Sequence, residues 1–90
     1  MLGVSDETLL VFPCSFPIKV MGANAIGFEK LVVETIRLHV PDFDPAAVTV
    51  RESKGGKFLA ITAPFTAHSK LQIDAIYLAL SKHPSVKMAL

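Results

Sequence analysis

The order in which strand-like and helix-like patterns follow one another constrains the fold of this chain more than any other feature. Short segments typical of strands occur at residues 16–22, 48–51, 58–63 and 86–90. Segments with the i, i+3, i+4, i+7 apolar spacing of an amphipathic helix occur at residues 29–39 and 67–82. The predicted order of elements is therefore β, α, β, β, α, β.

Proline and glycine residues support these boundaries. Pro41 and Pro84 are expected to stop the two helices, and Pro64 is expected to close the third strand. The adjacent residues Gly55 and Gly56 predict a hairpin between the second and third strands.

Residues 1–15 are predicted to be a lead-in, followed by one domain at residues 16–90. Pro13 and Pro17 lack the N–H that a strand donates, so we expect no regular strand before residue 16. Thr66 is the residue expected to cap the second helix.

This element order is that of the split βαβ, ferredoxin-like arrangement, an α+β two-layer sandwich. Right-handed crossovers place both helices on one face of a four-stranded antiparallel sheet. The strand residues expected to face the helices are Ile18, Val20, Val48, Val50, Leu59, Ile61, Val86 and Met88. The opposite, open face is expected to carry Lys19, Met21, Thr49, Arg51, Phe58, Thr62 and Lys87.

The composition fits one small globular domain. Apolar residues make up 51% of the 90 residues, which is too many for a disordered chain. The formal net charge of +1 lacks the basic excess that DNA-binding domains usually carry. The single cysteine, Cys14, allows no intrachain disulfide and indicates a cytoplasmic protein. With no basic residue before Lys19 and no long apolar run, we expect neither a signal peptide nor a membrane span.

Residues with the spacing of a catalytic or metal site are not apparent. The loop at residues 21–24 has neither the paired cysteines of metal-carrying domains of this shape nor the arginine of acylphosphatases. His39, His68 and His83 lack the spacing of paired metal ligands. No nucleophile–base pair or carboxylate pair is visible either. We therefore expect a protein that is not an enzyme and that has no cofactor and no metal.

The open sheet face is one candidate binding surface. Its residues of interest are Lys19, Met21, Arg51, Phe58 and Lys87. An aromatic side chain among basic groups is how RNA-recognition sheets stack bases, but those sheets use two or three aromatics and this face has one. The alternative is a solvated or self-pairing face, which the sequence favours over nucleic acid.

The second helix offers a candidate interface. Ile73, Ile76, Tyr77 and Leu80 form the larger apolar stripe and are assigned to the sheet, which turns Leu71, Ala75, Leu78 and Ala79 outward or sideways. Either Leu71, Ala75 and Leu78 belong to an interface with a partner, or the first helix covers Leu71 and Leu78 laterally.

Several runs of residues, spread over most of the chain, together point to a known family. The most specific are Lys-Val-Met-Gly at residues 19–22 and Ser-Lys-Gly at residues 53–55. With residues 76–80 and 86–90, they make residues 9–90 similar to the YbeD-like family of small bacterial proteins of unknown function. The resemblance implies a ferredoxin-like fold akin to ACT domains, which bind small ligands at domain interfaces. Members have been labelled lipoate regulators by association, and no catalytic residues come with the family.

Together these observations predict a non-catalytic regulatory or interaction module, with ACT-like sensing of a small molecule as its specific form. The alternative is an RNA-binding domain that uses the open sheet face. The expected partner is another protein or a small ligand, with a homodimer among the arrangements that the sequence allows, and not a membrane.

Overall fold

The computed structural model describes residues 11–90. The four strands are β1 (Cys14–Ala23), β2 (Thr49–Glu52), β3 (Phe58–Ala67) and β4 (Val86–Ala89). The two helices are α1 (Phe28–His39) and α2 (Lys70–Ser81), and a short 3-10 turn spans Pro45–Ala47. The predicted βαββαβ order is confirmed. The predicted lead-in lies largely outside the described residues.

The strands form one antiparallel sheet in the order β2-β3-β1-β4, so β1 and β3 are central and β2 and β4 are the edges. Both helices contribute to a single core with one face of this sheet. Its fully buried side chains include Ile18, Val20 and Ile61 from the sheet and Ile36 and Ile76 from the helices. The ferredoxin-like two-layer architecture with both helices on one face is therefore the fold of this chain.

The central strands pass through two prolines: Pro17, which with Pro13 was expected to exclude a regular strand before residue 16, and Pro64, which was predicted to close the third strand. β1 begins at Cys14, and β3 continues beyond Pro64 to Ala67. Pro17 and Pro64 lie directly opposite each other. Lys19 exchanges both backbone hydrogen bonds with Leu90, on the β4 side of β1. Pro17 has the same orientation two residues earlier, so its missing N–H would have pointed away from β3. The prediction that proline ends these strands was wrong because neither ring removes a bond between β1 and β3.

The second helix begins three residues later than predicted, since β3 takes up the residues before it. Ser69, and not Thr66, is the N-cap: its Oγ accepts a hydrogen bond from the Gln72 N–H at 3.0 Å. The Gln72 side chain in turn accepts from the His68 N–H at 2.7 Å. This Ser-x-x-Gln arrangement resembles a capping box, which satisfies N–H groups that a helix start leaves unpaired.

Two of the side chains predicted to face the helices do not lie in the core. Met88 is opposite Met21 on the open face, because the β1–β4 register shifts between Met21 and Gly22. Val50 is on the helix side, opposite Ile61, but it is 38% exposed because β2 is an edge strand. Gly22 itself is required, since a Cβ there would overlap the Phe28 ring and the Ser85 carbonyl oxygen.

No helix within residues 11–90 is long and apolar enough to cross a membrane.

Candidate functional site

A row of side chains crosses the open sheet face from one edge to the other. Met21 lies opposite Ala60 on one side and Met88 on the other, and Ala60 lies opposite Arg51. The row is therefore apolar over β1, β3 and β4 and ends in a cation on β2. Met21 and Met88 are both partly exposed, which leaves apolar surface in contact with solvent.

The structure places most of the predicted open-face residues together. Phe58 shares the face with Met21 and Arg51, opposite Ala23, and Lys19 lies on it opposite Thr62. Phe58 is the one aromatic side chain on this face within residues 11–90. Sheets that bind RNA normally present two or three aromatic side chains on which bases stack, so this face has fewer aromatic side chains than such a sheet uses.

Lys87 is the residue without a partner at the register shift between β1 and β4. Together with Met88, it lines a groove beside α2. The strand register therefore does not place Lys87 opposite any of the other predicted residues of the open face.

The groove between α2 and β4 has a volume of about 630 Å³. Its lining consists of Asp74, Tyr77, Leu78 and Ser81 of α2 and the whole of β4, Val86–Ala89. Because β4 is an edge strand, the groove lies at the side of the domain. Volumes of about 300–1,000 Å³ are usual for clefts that hold small ligands, and this groove has a mainly apolar lining with a few polar groups.

Asp74 and Tyr77 form the polar corner of this groove. One carboxylate oxygen of Asp74, Oδ2, accepts a hydrogen bond from Lys70 Nζ at 2.8 Å. The other, Oδ1, is buried and has no hydrogen-bond partner. Partial burial raises the pKa of the Tyr77 phenol, and the negative charge of Asp74 raises it further. Tyr77 is therefore a neutral hydrogen-bonding group in the groove at physiological pH.

A second apolar feature adjoins the groove on α2, and we call Leu71, Ala75 and Leu78 the α2 outer stripe. Leu71 is 81% exposed and Leu78 is 60% exposed. The first helix lies on another side of α2, where the Gln72 side chain donates to the His39 carbonyl oxygen at 3.0 Å. The alternative in which α1 covers Leu71 and Leu78 is therefore wrong, whereas a partner at this stripe remains a prediction.

His39, His83 and the buried hydroxyl of Thr35 have structural contacts. His83 Nε2 lies 3.5 Å from Thr35 Oγ1, and His39 Nδ1 donates to the Thr35 carbonyl oxygen at 3.1 Å. Thr35 is buried, and its hydroxyl donates to the Leu31 carbonyl at 2.7 Å, so its proton is already engaged. Among residues 11–90 no group of three or more His, Cys, Asp or Glu side chains is placed to hold a metal.

Reasoning from the sequence missed the groove. It assigned Tyr77 to the sheet stripe, and Tyr77 does pack against the core, but it is half-buried and also lines the groove. A groove arises from the space that separates a helix from an edge strand, and no local pattern specifies that distance. The available signal was the i, i+3, i+4 and i+7 spacing of Asp74, Tyr77, Leu78 and Ser81, which puts them on one side of a helix.

Comparisons with known proteins agree with this description. The UPF0250 protein of Chromobacterium violaceum is 47% identical over 89 residues, covering 97% of this chain and 100% of the relative. The UPF0250 protein of Nitrosomonas europaea is 40% identical over 87 residues, with the same coverage. The solution structure of protein HP0495 from H. pylori superposes with a TM-score of 0.71 at 15% identity, covering 100% of this chain and 94% of that one, which supports the fold alone.

The relatives confirm the resemblance to small bacterial proteins of unknown function. The profile of one such family matches residues 7–90, nearly the whole chain. This chain therefore belongs to the family described as protein of unknown function, DUF493.

Proposed function

We propose that the protein is a non-catalytic interaction module that binds a protein partner through the α2 outer stripe and the adjoining groove. The observation that carries this proposal is the exposure of Leu71 and Leu78, at 81% and 60%, beside a groove with a mainly apolar lining. A helix on the outside of a two-layer domain normally presents a polar face to water. The contiguous apolar surface here is typical of an interaction site.

The sparse charge on this helix supports the proposal. Between Lys70 and Ser81 the one acidic residue is Asp74, and it already binds Lys70. Nothing ionised is left between Ala75 and Ser81 to solvate the outer stripe. By contrast, α1 carries Glu29, Glu34 and Arg37 on its solvent side. The second helix therefore has the composition of a helix that a partner covers.

The surroundings of Thr35, His83 and Cys14 support a non-catalytic role. The hydroxyl of Thr35 is buried and donates to a backbone carbonyl, so His83 has no free nucleophile beside it. Cys14 is half-buried among core side chains, which suits a small apolar filler. The single cysteine also supports a cytoplasmic site of action.

Regulation by a small molecule in the groove is the second candidate function. It is favoured by the Oδ1 atom of Asp74, which is buried without a hydrogen-bond partner. Buried polar atoms are nearly always paired, and those that are not often mark a position that a ligand or water fills. A ligand with an N–H or O–H group at Asp74 and an apolar part against Leu78 and Val86 would fit this lining.

A matched pair of variants tests the main proposal. Leu78→Glu places a charge on the α2 outer stripe, and Leu38→Glu places one at a leucine of α1 that is 82% exposed. Both variants are expected to keep the circular dichroism of the folded protein. In affinity capture from the source cell, a partner is expected to be retained by the wild type and by Leu38→Glu and lost with Leu78→Glu. If the same proteins are retained by all three baits, or RNA is retained in their place and lost on Phe58→Ala, the proposal is wrong.

A further inference from the structure

We propose that the α2 outer stripe is covered by a second copy of this chain, with the two α2 helices packed antiparallel about a twofold axis. This inference rests on the proposed function, because it names the occupant of the same surface. It commits to a homodimer that is isologous, meaning that each copy contributes the same residues.

The spacing of the stripe makes it self-complementary. Leu71 and Leu78 are seven residues apart, which is about 10.5 Å and nearly two turns along a helix. An antiparallel partner centred between Asp74 and Ala75 brings Leu71 of one copy beside Leu78 of the other. The twofold axis repeats this contact, so both exposed leucines of both copies become covered.

Ala75 permits the close approach that this arrangement needs. It is half-buried between the two exposed leucines along α2 and would be next to the twofold axis. Packed helices lie about 8–10 Å apart, and the shorter distances need small side chains at the crossing point. A large or charged residue at this position would hold the helices apart, whereas alanine does not.

The charges of α2 do not oppose the pairing. Asp74 and Lys70 bind each other within one copy, so the centre of the contact carries no uncompensated charge. Lys82 lies at the end of the helix, and the two Lys82 residues would be about 22 Å apart along the paired helices. That separation is well beyond the roughly 8–10 Å over which surface charges interact at physiological ionic strength. The antiparallel helix dipoles are also favourably oriented.

The size of the surface predicts a weak dimer. The 12 residues of α2 span about 18 Å, which is short for an interface of about 800 Å² per partner. We therefore expect association to depend on concentration between about 10 µM and about 1 mM. In sedimentation equilibrium the mass should rise from the monomer value of 9.7 kDa toward twice that value. Leu78→Glu should weaken association at least about tenfold, and Leu38→Glu should leave it unchanged.

Disulfide trapping tests the geometry directly. Cys14 is first replaced by alanine, and a single cysteine is then introduced as Ala75→Cys, or as Leu38→Cys for the control. In the proposed dimer the two residues at position 75 have Cα atoms about 4–6 Å apart, within the range of disulfides. Mild oxidation should therefore link Ala75→Cys much faster than Leu38→Cys. A mixture of Leu71→Cys and Leu78→Cys should link preferentially between the two different chains, because the helices run antiparallel.

Two results would overturn the inference. One is a wild-type chain that remains monomeric up to about 1 mM, far above any useful affinity for a homodimer. The other is a position 75 cysteine that links no faster than the control on α1. Neither result decides the partner-binding proposal, which the capture experiment with Leu78→Glu, Leu38→Glu and Phe58→Ala tests separately.

Discussion

Tyr77 combines an apolar ring with a hydroxyl in a partly buried place. Its pKa lies above the ordinary value of 10.0, first because of burial and second because of the charge of Asp74. The folded protein therefore holds the phenol proton more tightly than the unfolded chain does. The contribution of Tyr77 to stability is intact below about pH 10 and is lost as the pH rises through the raised pKa.

The pKa of Tyr77 can be measured by absorbance without overlapping signals, because the chain has one tyrosine and no tryptophan. We expect the ultraviolet absorbance of tyrosinate to appear at a higher pH in the folded protein than in the urea-unfolded chain. Asp74→Asn should lower the titration midpoint without bringing it to the unfolded value, since burial is the larger cause. Glu29→Gln, on α1, should leave it unchanged. A midpoint that Asp74→Asn fails to lower would contradict the assigned geometry of the groove.

At the scale of single elements, the start of α2 depends on one side chain. Ser69 Oγ satisfies the N–H of Gln72, and removing such a cap typically costs about 0.5–2 kcal/mol. We expect Ser69→Ala to lower the free energy of unfolding in urea by that amount. Thr66→Ala, at the residue that the sequence had indicated, should change it by no more than about 0.5 kcal/mol. Equal losses in the two variants would contradict the assignment of Ser69 as the N-cap.

The elements show which sequence signals were sufficient. Phe28, Val32 and Ile36 have helical spacing in the sequence and form the buried side of α1, because a helix fixes which residues share a side. The start of α2 was missed because Thr66 and Ser69 are both good caps, and the choice depends on how far β3 pairs with β1. That pairing is a contact between distant segments, which local propensity does not describe.

At the scale of the whole molecule, both helices and the sheet share one core, so stability should be lost cooperatively. Ile76 is fully buried in this core, and Ile76→Ala should cost about 2–5 kcal/mol. That is a large share of the roughly 5–15 kcal/mol available to a domain. The urea midpoints from tyrosine fluorescence and far-ultraviolet circular dichroism should fall together. Leu38→Ala, at an exposed leucine of α1, is the control, and a comparable loss there would contradict the assigned core.

The architecture was predictable from the sequence, and the candidate site was predictable in part. The element order and the right-handed crossover rule are enough to place both helices on one face. Helical spacing kept Leu71 and Leu78 off the sheet side of α2 but left open whether α1 covers them, and the structure leaves both exposed. The groove did not follow, because no local pattern specifies the distance between α2 and β4. The place of Met88 did not follow either, because a register shift of one residue at Met21 and Gly22 reverses which face a side chain takes.

The opposed prolines of the central strands have a consequence for mispairing. In the native alignment the backbone nitrogen atoms of Pro17 and Pro64 point away from the strand opposite, so no hydrogen bond between β1 and β3 needs an N–H at either residue. If β1 shifted by one residue against β3, one of the two strands would have to rotate about its axis to restore the hydrogen-bonding pattern. The nitrogen of its proline would then point at a carbonyl oxygen of the other strand, to which it has no hydrogen to donate. The ladder would lose a bond at its centre and bury an unpaired acceptor. These prolines therefore discriminate against the shifted sheets that flat alternating sequences otherwise allow, and they do so without contributing any attraction of their own.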